Sequence, residues 1–134
     1  MKNEELVRVA LKAREKAYAP YSGFLVGAAL LSFDGEVFSG CNVEGASFGN
    51  AICAERTALV KAISDGERAF TKLAVAGPGK EHCTPCGICR QMLCEFSPEL
   101  VVLCANEDGE YEEHRLSELL PFAFGSGLVP GKNI

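Results

Sequence analysis

Cys53-Ala54-Glu55-Arg56, answered further along by Pro85-Cys86-Gly87-Ile88-Cys89, decides how this chain is read. Each stretch opens a helical pattern. From Ala51 to Ile63 the apolar residues Ile52, Ala54, Ala58, Leu59, Ala62 and Ile63 recur at helical spacing until Asp65-Gly66 stops them. Gly87 to Phe96 reads as another helix, bounded by Pro85 and Ser97-Pro98. Cysteines therefore stand at two facing helix starts, where partial positive charge and free N–H groups stabilise thiolates, the form that binds metal. Cys86-x-x-Cys89 brings two sulfurs within reach of one ion, and Cys53 supplies a third. Such a soft site suits Zn²⁺ and leaves a fourth position for water, with Glu55 two residues from the first thiol. That is the layout of a metal-assisted hydrolase.

Three thiolates leave a divalent ion with excess negative charge, which opposes the lowering of a water's pKa. Arg56 is placed to offset it by hydrogen-bonding the sulfurs. Glu55 is expected to carry protons rather than bind metal. Hydrolysis at a carbonyl-like carbon needs a nucleophilic oxygen together with protonation of the group that leaves, and one carboxylate can move both protons in turn.

Outward from these stretches, Asn3 to Ala17 has one apolar helical face formed by Leu6, Val7, Ala10, Leu11, Ala13 and Ala17, with Asn3 as the expected cap. Pro20, Ser22 and Gly23 break that pattern, and Phe24 to Leu31 reads as a strand covered on both faces. Asp34-Gly35 predicts a tight turn into a strand from Glu36 to Cys41, followed by a polar loop over Asn42 to Asn50. Leu73 to Ala76 and Leu100 to Ala105 are further buried strands, Tyr111 to His114 an edge strand, and Leu116 to Leu120 a short helix. Helices alternating with buried strands predict a three-layer α/β/α sandwich on a mixed five-stranded sheet.

A length of 134 residues suits one catalytic domain spanning residues 1–134. Glu4, Glu5 and Arg8 interrupt the opening, and no later run is long enough to span a bilayer, so the expected location is the cytoplasm, away from membranes. Seven cysteines, an odd number, argue for metal ligands and reduced thiols rather than a disulfide framework. A net charge of −5 disfavours nucleic acid as a partner. The expected substrate is small and not polyanionic.

Other readings of the cysteines stay open at this point. Cys83-x-x-Cys86-x-x-Cys89 fits part of an iron–sulfur pattern, although Cys94 comes too late for the tight spacing and lacks a following proline. Cys86-Gly87-Ile88-Cys89 alone could be a thiol redox pair, and a closed structural metal site needs no Glu55. Cys41, Cys83, Cys94 and Cys104 read as thiols outside the ligand set, mostly core. His82 could replace a cysteine ligand but reads more readily as a loop residue that is solvated or stands behind the ligands, and His114 has no motif around it.

A first ligand followed two residues on by glutamate, then Pro-Cys-x-x-Cys, resembles the zinc deaminase signature, and Cys-Ala-Glu resembles the three-cysteine branch of the small zinc-dependent cytidine deaminases. The similarity extends through Ala19-Pro20-Tyr21-Ser22-Gly23-Phe24, Val26-Gly27-Ala28-Ala29-Leu30, Gly40-Cys41-Asn42-Val43-Glu44 and Leu119-Leu120-Pro121-Phe122-Ala123-Phe124-Gly125. It implies Cys53, Cys86 and Cys89 as zinc ligands with one Zn²⁺ per chain, Glu55 as proton carrier, and Arg56 in contact with the thiolates. It also implies that Asn42 and Glu44 bind the ribose 3′-hydroxyl, that Phe24 packs beside the nucleoside, and that the Ala54 N–H holds the base O2. The reaction implied is hydrolysis of cytidine and 2′-deoxycytidine to the uridine counterparts and ammonia, as in pyrimidine salvage. A deaminase of a cytosine-nucleoside antibiotic is a close rival. A homotetramer is implied, with Phe124 reaching a neighbour's pocket, and Ser126-Gly127-Leu128 departs from the family's usual ending.

Overall fold

The computed structural model describes residues 1–47 and 49–125, so the ending Ser126-Gly127-Leu128 lies outside the described residues. Chain order runs α1 (Asn3–Arg14), β1 (Gly27–Ser32), β2 (Val37–Cys41), α2 (Ala54–Ser64), β3 (Phe70–Ala76), α3 (Gly87–Phe96), β4 (Val101–Ala105), β5 (Tyr111–Arg115) and α4 (Leu116–Leu119). The strands form one sheet in the order β2-β1-β3-β4-β5. β3 and β4 run parallel, joined through α3, and every other neighbouring pair is antiparallel. The sheet is therefore mixed, as the alternation of helices and strands implies.

Period-two alternation sorts the side chains into two cores. Ala28, Leu30, Leu73, Val75, Val102 and Cys104 point to the face covered by α2 and α3, where Ala58, Leu59 and Leu93 meet them. Ala29, Leu31, Ala74, Ala76, Leu103 and Ala105 point the other way, onto Leu6, Val7 and Ala10 of α1. That makes three layers, and each fully buried leucine contributes roughly 1.5–3 kcal/mol. Gly27 and Gly40 let the layers touch: a Cβ on Gly27 would lie 2.0 Å from the Ala10 carbonyl oxygen, and one on Gly40 would lie 2.6 Å from the Ala58 nitrogen. Among the described residues no helix is long and apolar enough to cross a membrane.

Several expected boundaries move, each for a local reason. Asn3 is not the cap of α1: Lys2 holds that position without a side-chain cap. The Asn3 side chain is drawn across to the sheet, donating to Glu113 at 3.2 Å and accepting from Lys72 at 2.6 Å. α1 stops at Arg14, whose Nε donates to the Leu25 carbonyl at 2.8 Å. β1 begins at Gly27 rather than Phe24, because the Phe24 carbonyl and the Val26 N–H are both engaged by the Asn42 side chain. α2 begins at Ala54 rather than Ala51, because Ile52 pairs with Val43 and keeps the chain extended. β3 starts at Phe70, ahead of the expected Leu73, where Phe70 pairs with Ser32 beyond a register shift.

Candidate active site

The late start of α2 places Cys53 at the N-cap (φ −74°, ψ 155°), and Cys86 holds the same position on α3 (φ −71°, ψ 166°). Neither caps its own helix with its side chain. Their sulfurs are free to meet. Cys53 Sγ lies 3.5 Å from Cys86 Sγ, Cys86 Sγ lies 3.1 Å from Cys89 Sγ, and all three fall within 4.8 Å of one another. A tetrahedral zinc with bonds of about 2.3 Å holds its sulfurs roughly 3.8 Å apart, so the trio is of the right size and chemistry for that ion.

The electrostatics favour a thiolate here. Cys53 is pulled down to about 5, chiefly by the hydrogen bond from Cys89, with Cys86 and Arg56 adding to it against the cost of burial. Cys89 moves the opposite way because it donates to Cys53 and is desolvated. Without a metal the sulfurs share their protons, and a divalent cation is what lets all three ionise. The Arg56 charge sits beside Cys53 and Cys89; burial pulls against it, but those sulfurs hold it above its usual pKa. Its Nη2 reaches the Ala51 carbonyl at 3.3 Å, while its buried Nε has no directed partner. A half-buried guanidinium beside the thiolates suits charge offset.

Glu55 follows on the first turn of α2 and is only 4% exposed. Burial is the main force raising its carboxyl to about 7; the Cys53 thiolate adds to it, and a backbone hydrogen bond opposes it. A carboxyl balanced near neutrality can take and return a proton. Beside it opens a cavity of about 220 Å³ lined by Phe24, Val26, Asn42, Cys53, Ala54, Glu55, Cys83, Thr84 and Cys86. Phe24, Asn42 and Ala54 thus share one space with Cys53 and Cys86.

Glu44 is absent from that lining. It lies at the rim, where Oε1 accepts the N–H groups of Tyr21 and Ser22, both at 3.1 Å, and Oε2 accepts the Ser22 hydroxyl. The hydroxyl bond keeps its pKa below the ordinary 4.5 despite some desolvation. Phe124 is also absent from the lining and two-thirds exposed, tied in through Gln91, which donates to its carbonyl at 2.8 Å.

Cys83 does not join the sulfur trio. It is half-buried in the cavity wall, with burial raising its thiol to about 12, and its N–H donates to the Ala105 carbonyl at 3.1 Å. The iron–sulfur spacing has no counterpart in space. Cys94 and Cys104 are buried, and Cys41 is intermediate. His82 and His114 flank Glu112 at 3.7 and 3.6 Å, apart from the sulfurs. Sequence reasoning passed over Val26 and Thr84 as lining residues, although Thr84 stands in the same stretch as Pro85.

Residues 1–105 match the family model described as the cytidine and deoxycytidylate deaminase zinc-binding region. The cytidine deaminase of Halalkalibacterium halodurans is 49% identical over 125 residues, covering 92% of this chain and 95% of that one. The cytidine deaminase of Sporosarcina psychrophila is 48% identical over 122 residues, 90% of each chain. A crystal structure of cytidine deaminase from Burkholderia pseudomallei has a TM-score of 0.89 at 49% identity, covering 92% of this chain and 100% of that one. With close to half its residues shared along nearly the whole length of such relatives, and on the same backbone, this chain belongs to the zinc-binding cytidine deaminase family.

Proposed function

We propose that this protein hydrolyses cytidine, and 2′-deoxycytidine with it, to the corresponding uridine nucleoside and ammonia. The observation that carries the reading is the buried Glu55 carboxyl, raised to about 7, beside three convergent sulfurs, two of which line a small cavity. Cys53, Cys86 and Cys89 would hold the zinc, which would supply the Lewis acidity that makes water nucleophilic near neutral pH. Glu55 accepts the proton of the attacking water and passes it to N3 of the ring. With the water oxygen now bonded to C4, Glu55 carries that oxygen's remaining proton to the exocyclic nitrogen, the C4–N bond breaks, and the amine leaves as ammonia.

The other side chains bind and orient. The Ala54 N–H, at the open start of α2, is the donor for the base O2. Phe24 packs along the base, and Asn42 and Glu44 take the sugar 3′-hydroxyl, a pairing that a phosphate in its place would meet as like-charge repulsion. Arg56 offsets the charge of the thiolates.

A homotetramer is the assembly we propose, with Phe124 completing a neighbour's pocket; its exposure, together with that of Phe122, supports this. The chain works as one domain, and its seven free thiols suit the reducing cytoplasm. The test is an assay of purified protein with cytidine, followed by ammonia release and ultraviolet absorbance alongside metal analysis. About one zinc per chain and turnover abolished by a chelator are expected. Zinc-loaded protein that leaves cytosine nucleosides unchanged would end the reading.

A further inference from the structure

The rim around Glu44 is more constrained than a surface carboxylate needs to be. An ionised carboxylate offers about four acceptor positions, two on each oxygen. Oε1 has both filled by the N–H groups of Tyr21 and Ser22. Oε2 has one filled by the Ser22 hydroxyl. The direction of that last bond is fixed as well. Ser22 Oγ accepts the Phe24 N–H at 3.0 Å, so its lone pair faces Phe24 and its proton faces Glu44. One acceptor position therefore remains on Glu44.

The same hydroxyl links the two sides of the rim. Phe24, whose N–H it receives, gives its carbonyl to Asn42 Nδ2 at 2.8 Å, and Asn42 Oδ1 receives the Val26 N–H at 2.9 Å. Glu44, Ser22, Phe24 and Asn42 thus form a continuous hydrogen-bonded arc beside the cavity. A sugar presented to this arc finds one free acceptor on the carboxylate. Cytidine offers a vicinal pair of hydroxyls, whereas 2′-deoxycytidine offers one at that end.

We propose that Ser22 is a specificity-determining residue: by occupying one position of Glu44 Oε2 it limits the carboxylate to a single sugar hydroxyl and so makes the site indifferent to the 2′-hydroxyl. The inference rests on the assignment of Glu44 to the sugar made above. Removing the Ser22 hydroxyl opens a second acceptor position. Only ribose can fill both.

The experiment compares kcat/KM for cytidine and for 2′-deoxycytidine in the zinc-loaded protein and in Ser22→Ala, Ser22→Cys, Ser22→Thr and Glu44→Gln. The cytidine-to-deoxycytidine ratio is expected to rise about tenfold in Ser22→Ala, the scale of one hydrogen bond to a charged group. Ser22→Cys, close in shape and a weak donor, moves the ratio the same way, and Ser22→Thr returns it to the parent value. A merely structural role would weaken both substrates alike. A ratio within twofold of the parent in both Ser22→Ala and Ser22→Cys, with Glu44→Gln raising KM, overturns the inference and leaves the Glu44 assignment standing. If Glu44→Gln leaves KM unchanged for both sugars, the assignment itself fails and the inference falls with it.

Discussion

On one side of the cavity the chemistry is held by main-chain architecture: Cys53 and Cys86 are N-cap residues of helices whose apolar faces pack into the same core, and Glu55 is buried two positions after Cys53. On the other side Glu44, Ser22, Phe24 and Asn42 are held by hydrogen bonds between loops, with Ser22 and Phe24 exposed and Asn42 and Glu44 half-buried. Shifting the first side requires moving a helix, which disturbs packing worth several kcal/mol. Shifting the second requires exchanging a few hydrogen bonds for water, each worth about 0.5–1.5 kcal/mol net. On the function proposed above, reaction chemistry is fixed by the core, and substrate preference is set where small changes are tolerated.

Substitutions should separate the two sides by size and kind of effect. Cys53→Ala removes a sulfur from the trio and is expected to abolish both metal binding and turnover, checked by elemental analysis and a cytidine assay. Full zinc content in that variant would place the metal elsewhere. Glu55→Gln should keep zinc and substrate affinity while lowering kcat by about 10²–10⁴-fold, the usual worth of a positioned proton carrier. Unchanged kcat would remove Glu55 from the proton path.

A third measurement uses metal-stripped protein. The Glu55 carboxyl is raised from 4.5 to about 7 by burial, so the folded state keeps its proton longer than the unfolded chain does. Stability on this account is full below pH 4.5 and falls as pH rises through 7, by about 3 kcal/mol from roughly 1.4 kcal/mol per unit. Cys53, pulled down to about 5, contributes in the opposite sense, its stabilisation growing from pH 5 towards 9. Comparing Glu55→Gln with the parent isolates the carboxyl's share, including the part that the Cys53 charge adds. The variant should match the parent near pH 4 and exceed it in urea unfolding above pH 7, and parallel curves would show that Glu55 is not desolvated. Arg56→Ala should follow in size: part of the zinc retained, and turnover lowered about 10–100-fold. Full activity at neutral pH would refute its role.

The two sides also differ in how much the sequence discloses. Pro85, Asp34-Gly35 and Asp65-Gly66 punctuate the chain locally, so α3, the β1–β2 turn and the end of α2 are legible from neighbouring residues alone. The sulfur site is legible for the same reason: one ligand pair is a helical spacing, and the third cysteine stands at a second helix start. The rim is not. Asn42 reaches Phe24 across 18 positions and Ser22 reaches Glu44 across 22, and no local pattern announces a bond between loops that far apart. Asn3 misled for that reason, since a residue typical of a cap was drawn to Glu113 across 110 positions. Glu44 and Asn42 came into view through family resemblance, and Ser22 through the structure.

The smallest expected effect is the most direct probe of the rim. Glu44→Gln keeps the length of the side chain and one oxygen for the N–H groups of Tyr21 and Ser22, but turns the other terminus into a donor facing the Ser22 hydroxyl. The free acceptor for a sugar hydroxyl is lost. Because that contact is made alike in the bound and reacting states, KM for cytidine should rise about tenfold with kcat changed less than twofold. The Ser22 hydrogen bond holds the Glu44 carboxyl below 4.5, so the carboxylate is ionised across the neutral range. The KM ratio of variant to parent should therefore stay flat from about pH 8 down to about pH 5, below which protonation begins to compete. A ratio that collapses near pH 6 would assign the acceptor to a group that titrates there, and a fall in kcat instead of a rise in KM would move Glu44 from the rim's kind of work to the floor's.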